Sequence, residues 1–278
     1  MFAQRTSWPL TPNRLTQLLG EFRAQGRAIL DLTESNPTRC GFALNGDALL
    51  AALADPRALR YEPDPRGLLS AREAVARYYG ELSAGVLPQQ VFLTTSTSEA
   101  YSYLFRLLAD PGDSVLVPRP SYPLFEFLGA LNDLRLVPYP LHYHDGWEID
   151  LEALAASVRA VQGRARAILL VHPNNPTGSF LSRRELDALS ALCRDHGLAL
   201  IADEVFRDYA LAAHADRVPT HADETSALTF TLSGLSKISA LPQMKLAWIV
   251  ASGPSDLLGQ ALERLEVIAD TYLSVSAP

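Results

Sequence analysis

Seven short apolar runs recur along this chain: "VFLTT", "SVLVP", "LRLVPYP", "AILLVH", "LALIAD", "ALTFTLS" and "LAWIVAS". Several are apolar on consecutive positions, the pattern of strands covered on both faces. Helical stretches separate most of them. "SRRELDALSALCRDHG" carries a capping box, Ser182 with Glu185, and ends at a glycine. "SAREAVARYYG" carries another, Ser70 with Glu73, and Asp150 is placed to cap "LEALAASVRAVQ". Thr11 as cap with Pro12 at the first position opens a helix in "TPNRLTQLLGEFRAQG". "ILDLTESNPTRCGF" reads as a short strand running into a polar loop. Strands that alternate with helices predict an α/β fold, a doubly wound and mostly parallel sheet.

Charge and cysteine content narrow the function. The net charge of −7 and pI near 5.4 argue against a nucleic-acid partner, which recruits basic faces. No apolar run reaches the length of a membrane span, and the start lacks the apolar core of a signal peptide. Cys40 and Cys193 have no metal-ligand spacing and make no disulfide framework. These features together point to a cytoplasmic protein.

In a doubly wound sheet, ligands sit beyond the carboxyl ends of the strands. Five of the runs end in polar or aromatic residues: "STSEAY", "RPSYP", "PNNPTG", "DEVF" and "GLSK". The last contains Lys237. Of 24 basic residues only Lys237 and Lys245 are lysines, so a chain that otherwise relies on arginine keeps two amines eight residues apart. An amine can lose its proton and form an imine with a carbonyl; a guanidinium cannot. Ser96, Thr97 and Ser98 stand at a strand-to-helix junction suited to a phosphate. Asp203 follows an unbroken apolar run and needs a cationic partner. Tyr122 can stack on a flat ring, and Asn175 can hydrogen-bond a ring oxygen. Phosphate, cationic heteroaromatic ring, phenolic oxygen and aldehyde together describe pyridoxal 5′-phosphate (PLP).

"VHPNNPTG", "ADEVFRDY" and "SGLSKISALPQMK", in that order, closely resemble the fold-type I, class I/II PLP-dependent aminotransferases, with "YEPDPRG" and "STSEAY" in agreement from about residue 30 onward. The resemblance implies that Lys237 forms the Schiff base and then moves the substrate proton. It implies that Asp203 pairs with the ring nitrogen, Asn175 donates to the phenolic oxygen and Tyr122 stacks on the ring. Ser96, Thr97, Ser98, Ser236 and Lys245 would hold the phosphate, and Tyr61 would reach the phosphate of a partner subunit in a homodimer. Ser35 and Asn36, beside Glu34, would border the substrate carboxylate. Glu99, Glu204 and His172 read as structural. The substrates implied are an L-amino acid and a 2-oxo acid.

Three departures from the family's pattern stand out. Lys245 replaces the usual phosphate-binding arginine, and Phe206 replaces a tyrosine that donates to the phenolic oxygen. No arginine matches the one that binds the substrate carboxylate. The implied domain organisation is an N-terminal arm with part of a small domain over residues 1–45 and a PLP-binding large domain over 46–278, with a C-terminal small-domain segment lying outside this chain. On that organisation, residues 1–278 are expected to bind PLP but to transaminate poorly. The alternatives on the same scaffold are a carbon–sulfur β-lyase, a decarboxylase, or a non-catalytic PLP-binding fragment.

Overall fold

The computed structural model describes residues 1–212 and 214–275. Each of the seven apolar runs forms a strand: β1 (Val91–Thr94), β2 (Ser114–Arg119), β3 (Arg135–Tyr143), β5 (Ala165–Val171), β6 (Ala199–Asp203), β7 (Thr229–Gly234) and β8 (Ala247–Ser252). A short strand not expected from sequence, β4 (Trp147–Ile149), turns back against β3. The strands make one eight-stranded sheet in the order β1-β8-β7-β6-β5-β2-β3-β4. Neighbours from β7 across to β3 are parallel, whereas β8 runs antiparallel to both β7 and β1. Hence β1, β2, β5, β6 and β7 all end at the same edge.

The helices among the described residues are α1 (Arg14–Ala24), α2 (Gly46–Leu53), α3 (Leu69–Gly80), α4 (Thr97–Leu108), α5 (Leu124–Leu131), α6 (Leu151–Ala160), α7 (Arg183–His196), α8 (Leu235–Ile238) and α9 (Ser255–Tyr272). They cover both faces of the sheet. Ala199 and Ile201 of β6 pack into the layer with α4, α5 and α9; Leu200 and Ala202 pack into the opposite layer with α6 and α7. Burial on both faces is why these strands read as unbroken apolar runs. A third cluster joins α3 to β1 and β8.

The helix boundaries both support and correct the sequence reading. Asp150 caps α6, and Ser182 and Glu185 cap α7 reciprocally, with Gly197 left-handed at its end. Helix α1 is capped by Asn13, which accepts from the Thr16 N–H at 2.9 Å, and not by Thr11. Helix α3 starts at Leu69 with no side-chain cap, so Ser70 and Glu73 form no capping box. There Arg72 is buried and braces the entry loop, donating to the Gly67 carbonyl at 2.8 Å and to Asp64 at 2.8 Å. "ILDL" makes no strand; Leu30 and Leu32 are exposed and have no ladder to join.

Candidate active site

The register sets the site. Val171 of β5 pairs with Asp203 of β6, which pairs with Leu232 of β7. β7 ends at Gly234, and α8 begins at once with Leu235, Ser236 and Lys237. Gly234 is required by close approach, because a Cβ there would lie 2.8 Å from the Ala247 Cα. Ala247, which starts β8, pairs with Gly234 and brings Lys245 back to the same edge.

Lys237 is half-buried. Its Nζ donates to the Ser35 carbonyl at 2.8 Å and lies 5.1 Å from the centre of the Phe206 ring. Burial lowers its proton affinity, while Cys40 and Glu34 act the other way. The Ser35 loop therefore reaches the lysine, and Phe206 faces it. Asn36 uses its side chain to accept from Thr38, capping a short turn.

Asp203 is 7% exposed at the last position of β6. Burial raises its carboxyl to about 6, against hydrogen bonds that lower it. Tyr101 Oη donates to Oδ2 at 2.7 Å, and the Val205 N–H donates to Oδ1 at 3.1 Å. Among the described residues no Lys, Arg or His lies within ion-pair distance of it. A buried carboxylate without a cation of its own fits a ligand that brings a protonated nitrogen.

Ser96 is the N-cap of α4, accepting from the Glu99 N–H at 3.2 Å, so Thr97 and Ser98 lie in the first turn. Glu99 turns back to Thr95, consistent with a structural role. Tyr122 follows β2, is 45% exposed, and packs edge-on against Phe125 at 6.0 Å. Asn175 lies half-buried in the loop after β5. Its neighbour Asn174 ties that loop together, donating to Thr177 Oγ1 at 2.9 Å and to the Pro120 carbonyl at 3.3 Å. Lys245 is exposed with a left-handed backbone at φ 52°. Tyr61 is 84% exposed in the segment before α3. His172 is satisfied locally by Val218 and Leu181, and Glu204 by Thr220 and His221.

Two residues near the site escaped the sequence reading. Tyr209 Oη donates to the Lys237 carbonyl at 2.9 Å, fixing the turn that carries the lysine. Tyr101 is the other. Its spacing with Leu104 and Phe105 marks an inward helix face, but nothing in that spacing names Asp203 as its partner. A cleft of about 440 Å³ opens beside the Asn175 loop, lined in part by Pro173, Phe180, Tyr209 and Arg217.

Residues 30–278 match the family described as aminotransferase class I and II. The glutamate-pyruvate aminotransferase AlaA of Haemophilus influenzae is 31% identical over 257 residues, which span 91% of this chain and 62% of that protein. The alanine aminotransferase of Mycobacterium tuberculosis is 31% identical over 268 residues, 94% of this chain and 61% of that protein. The chain thus spans about 62% of the length of the former and 61% of the latter. Among solved structures, an Escherichia coli aminotransferase superimposes with a TM-score of 0.81 at 27% identity, covering 99% of this chain and 68% of that one. The alanine aminotransferase of Pyrococcus furiosus reaches a TM-score of 0.86 at 23% identity over 100% of this chain and 70% of its own, a likeness of fold. With this strand order, these strand-end residues and these matches, the chain belongs to the class I and II aminotransferases, a PLP-dependent family of fold type I.

Proposed function

We propose that this chain is the cofactor-binding part of a PLP-dependent aminotransferase that moves an amino group from an L-amino acid to a 2-oxo acid. The observation that carries this reading is the placement of a half-buried lysine just after β7 and, at the end of adjacent β6, a buried carboxylate that has no cation within ion-pair distance among the described residues. When bound, PLP supplies an aldehyde carbon and a ring that accepts electrons from the substrate α-carbon.

The protein's residues divide the remaining work. Lys237 offers an amine whose proton affinity burial has lowered, so Nζ can attack a carbonyl and later carry a proton. Asp203 would hold the protonated ring nitrogen in an apolar surround, where the attraction is least screened. The first turn of α4, at Ser96, Thr97 and Ser98, would offer backbone N–H groups to the phosphate, with Ser236 and Lys245 adding a hydroxyl and a charge from the α8 side. Tyr122 would cover one ring face, and Asn175 would donate to the phenolic oxygen. Ser35 and Asn36 border the substrate. The relatives named for alanine and glutamate make these amino acids the first donors to test.

The assembly reading is a homodimer in which the exposed Tyr61 reaches the partner's phosphate. The domain reading keeps residues 1–45 as an arm with part of a small domain. No helix among the described residues is long and apolar enough to cross a membrane, and the reading places the protein in the cytoplasm.

Borohydride reduction of the PLP-loaded protein followed by peptide mapping tests the site: the label is expected on Lys237. In a separate, unreduced sample, L-alanine or L-glutamate should convert the cofactor to pyridoxamine phosphate and release the oxo acid, slowly in residues 1–278 taken alone. A label on Lys245 would overturn the site, and release of pyruvate with ammonia and a thiol from a cysteine-type donor would favour the β-lyase.

A further inference from the structure

We propose that Tyr101 is a positioning residue for the cofactor: through Asp203 it holds the carboxylate ionised and correctly turned for the ring nitrogen. The inference rests on the PLP reading above. Asp203 ends a strand, and the terminal torsion of an aspartate is soft, so its backbone alone does not orient the carboxylate. Two donors do so, one on each oxygen: Tyr101 Oη on Oδ2 at 2.7 Å and the Val205 N–H on Oδ1 at 3.1 Å. Only Tyr101 does this from a separate element. It is 2% exposed on α4 and reaches across the layer to β6.

The tyrosine itself is locked. Its ring packs against Phe105 at 5.9 Å and edge-on against Phe125 at 5.3 Å. Phe125 in turn meets Tyr122, the residue assigned to the ring face, at 6.0 Å. Tyr101 also stands one helical turn after Thr97, in the anion-binding turn of α4. One rigid cluster therefore links the phosphate end, the ring face and the ring-nitrogen carboxylate.

Electrostatics favour the same role. Burial drives the Asp203 carboxyl up, adjacent Glu204 drives it further, and the Tyr101 and Val205 hydrogen bonds oppose both. Burial, then Asp203, then Tyr122 push the Tyr101 phenol well above its ordinary value, so it stays a donor. A donor to the carboxylate lowers that oxygen's proton affinity, which keeps the shared proton on the ring nitrogen.

Tyr101→Phe removes the hydroxyl and keeps the ring packing. Two readouts follow. In the cofactor-free protein, the carboxyl ¹³C resonance that disappears in Asp203→Asn should titrate at higher pH in Y101F than in wild type. PLP affinity should fall about tenfold near neutral pH, as expected for loss of a hydrogen bond to a charged group, and its decline on acidification should begin at higher pH. In a D203N background the same change should have no effect on affinity. Replacing Tyr101 by 3-fluorotyrosine, a stronger donor of nearly the same shape, should move the Asp203 titration the opposite way and serves if Y101F does not fold. An unshifted titration, or an equal loss of affinity in D203N, would reduce Tyr101 to a packing residue. Failure of the wild-type chain to bind PLP would sink the cofactor reading and this inference together; binding with an unmoved profile would sink the inference alone.

Discussion

At the residue scale, the two lysines show how environment divides identical chemistry. Lys237 is half-buried and hydrogen-bonded to the Ser35 carbonyl, and burial lowers its proton affinity. Lys245 is exposed in a left-handed turn, on a flexible four-carbon stem open to solvent. The first suits covalent work; the second suits a point charge for an anion. Replacing Lys245 by Ala should therefore weaken PLP binding by about 1.5–3 kcal/mol, the scale of a charge-assisted hydrogen bond, without moving the borohydride label from Lys237. Equilibrium titration of the cofactor measures it, and an unchanged dissociation constant would make Lys245 a bystander. That the two lysines stand apart was legible in the composition of the chain. Which one is desolvated was not, because desolvation depends on Ser35 and Phe206, which are remote from it in sequence.

At the element scale, the strands were the most legible feature and the helix starts the least. Consecutive apolar positions could only be buried on both faces, and the two core layers bear this out. A cap is a choice among several neighbouring polar residues. Asn13 prevailed over Thr11, and at α3 the buried Arg72 ties down the entry in place of a cap. The junction of β7 with α8 depends on a single glycine, since Gly234 lets Ala247 approach and so sets where Lys237 leaves the sheet edge. Gly234→Ala places a methyl 2.8 Å from the Ala247 Cα and the Leu246 carbonyl oxygen. Backbone must move to relieve it, at about 1–3 kcal/mol. Urea unfolding should register the loss and borohydride labelling of Lys237 should fall with it; wild-type stability in this variant would show that the two strands part without cost.

At the scale of the whole molecule, folding places Asp203 where its charge is unfavourable until a cation arrives. Its carboxyl is raised from 3.8 to about 6 by burial. Between those values the folded chain binds a proton that the unfolded chain does not, so stability falls as pH rises through that window. Above it the penalty is constant, about 3 kcal/mol. Cofactor-free Asp203→Asn should therefore be more stable than wild type at about pH 8, with the advantage shrinking toward about pH 4. Thermal melts across that range check it, and parallel curves for the two proteins would mean that the carboxylate is already satisfied. The sequence alone determined the layered α/β plan and the polar and aromatic residue types at the strand ends, because periodicity and turn chemistry are local. The tertiary structure decided that Asp203 receives its hydrogen bond from Tyr101, that Ser35 meets Lys237, and that "ILDL" joins no strand. Each of these depends on which distant segment arrives alongside, and burial and hydrogen bonding between segments far apart in sequence leave no periodic trace in either one.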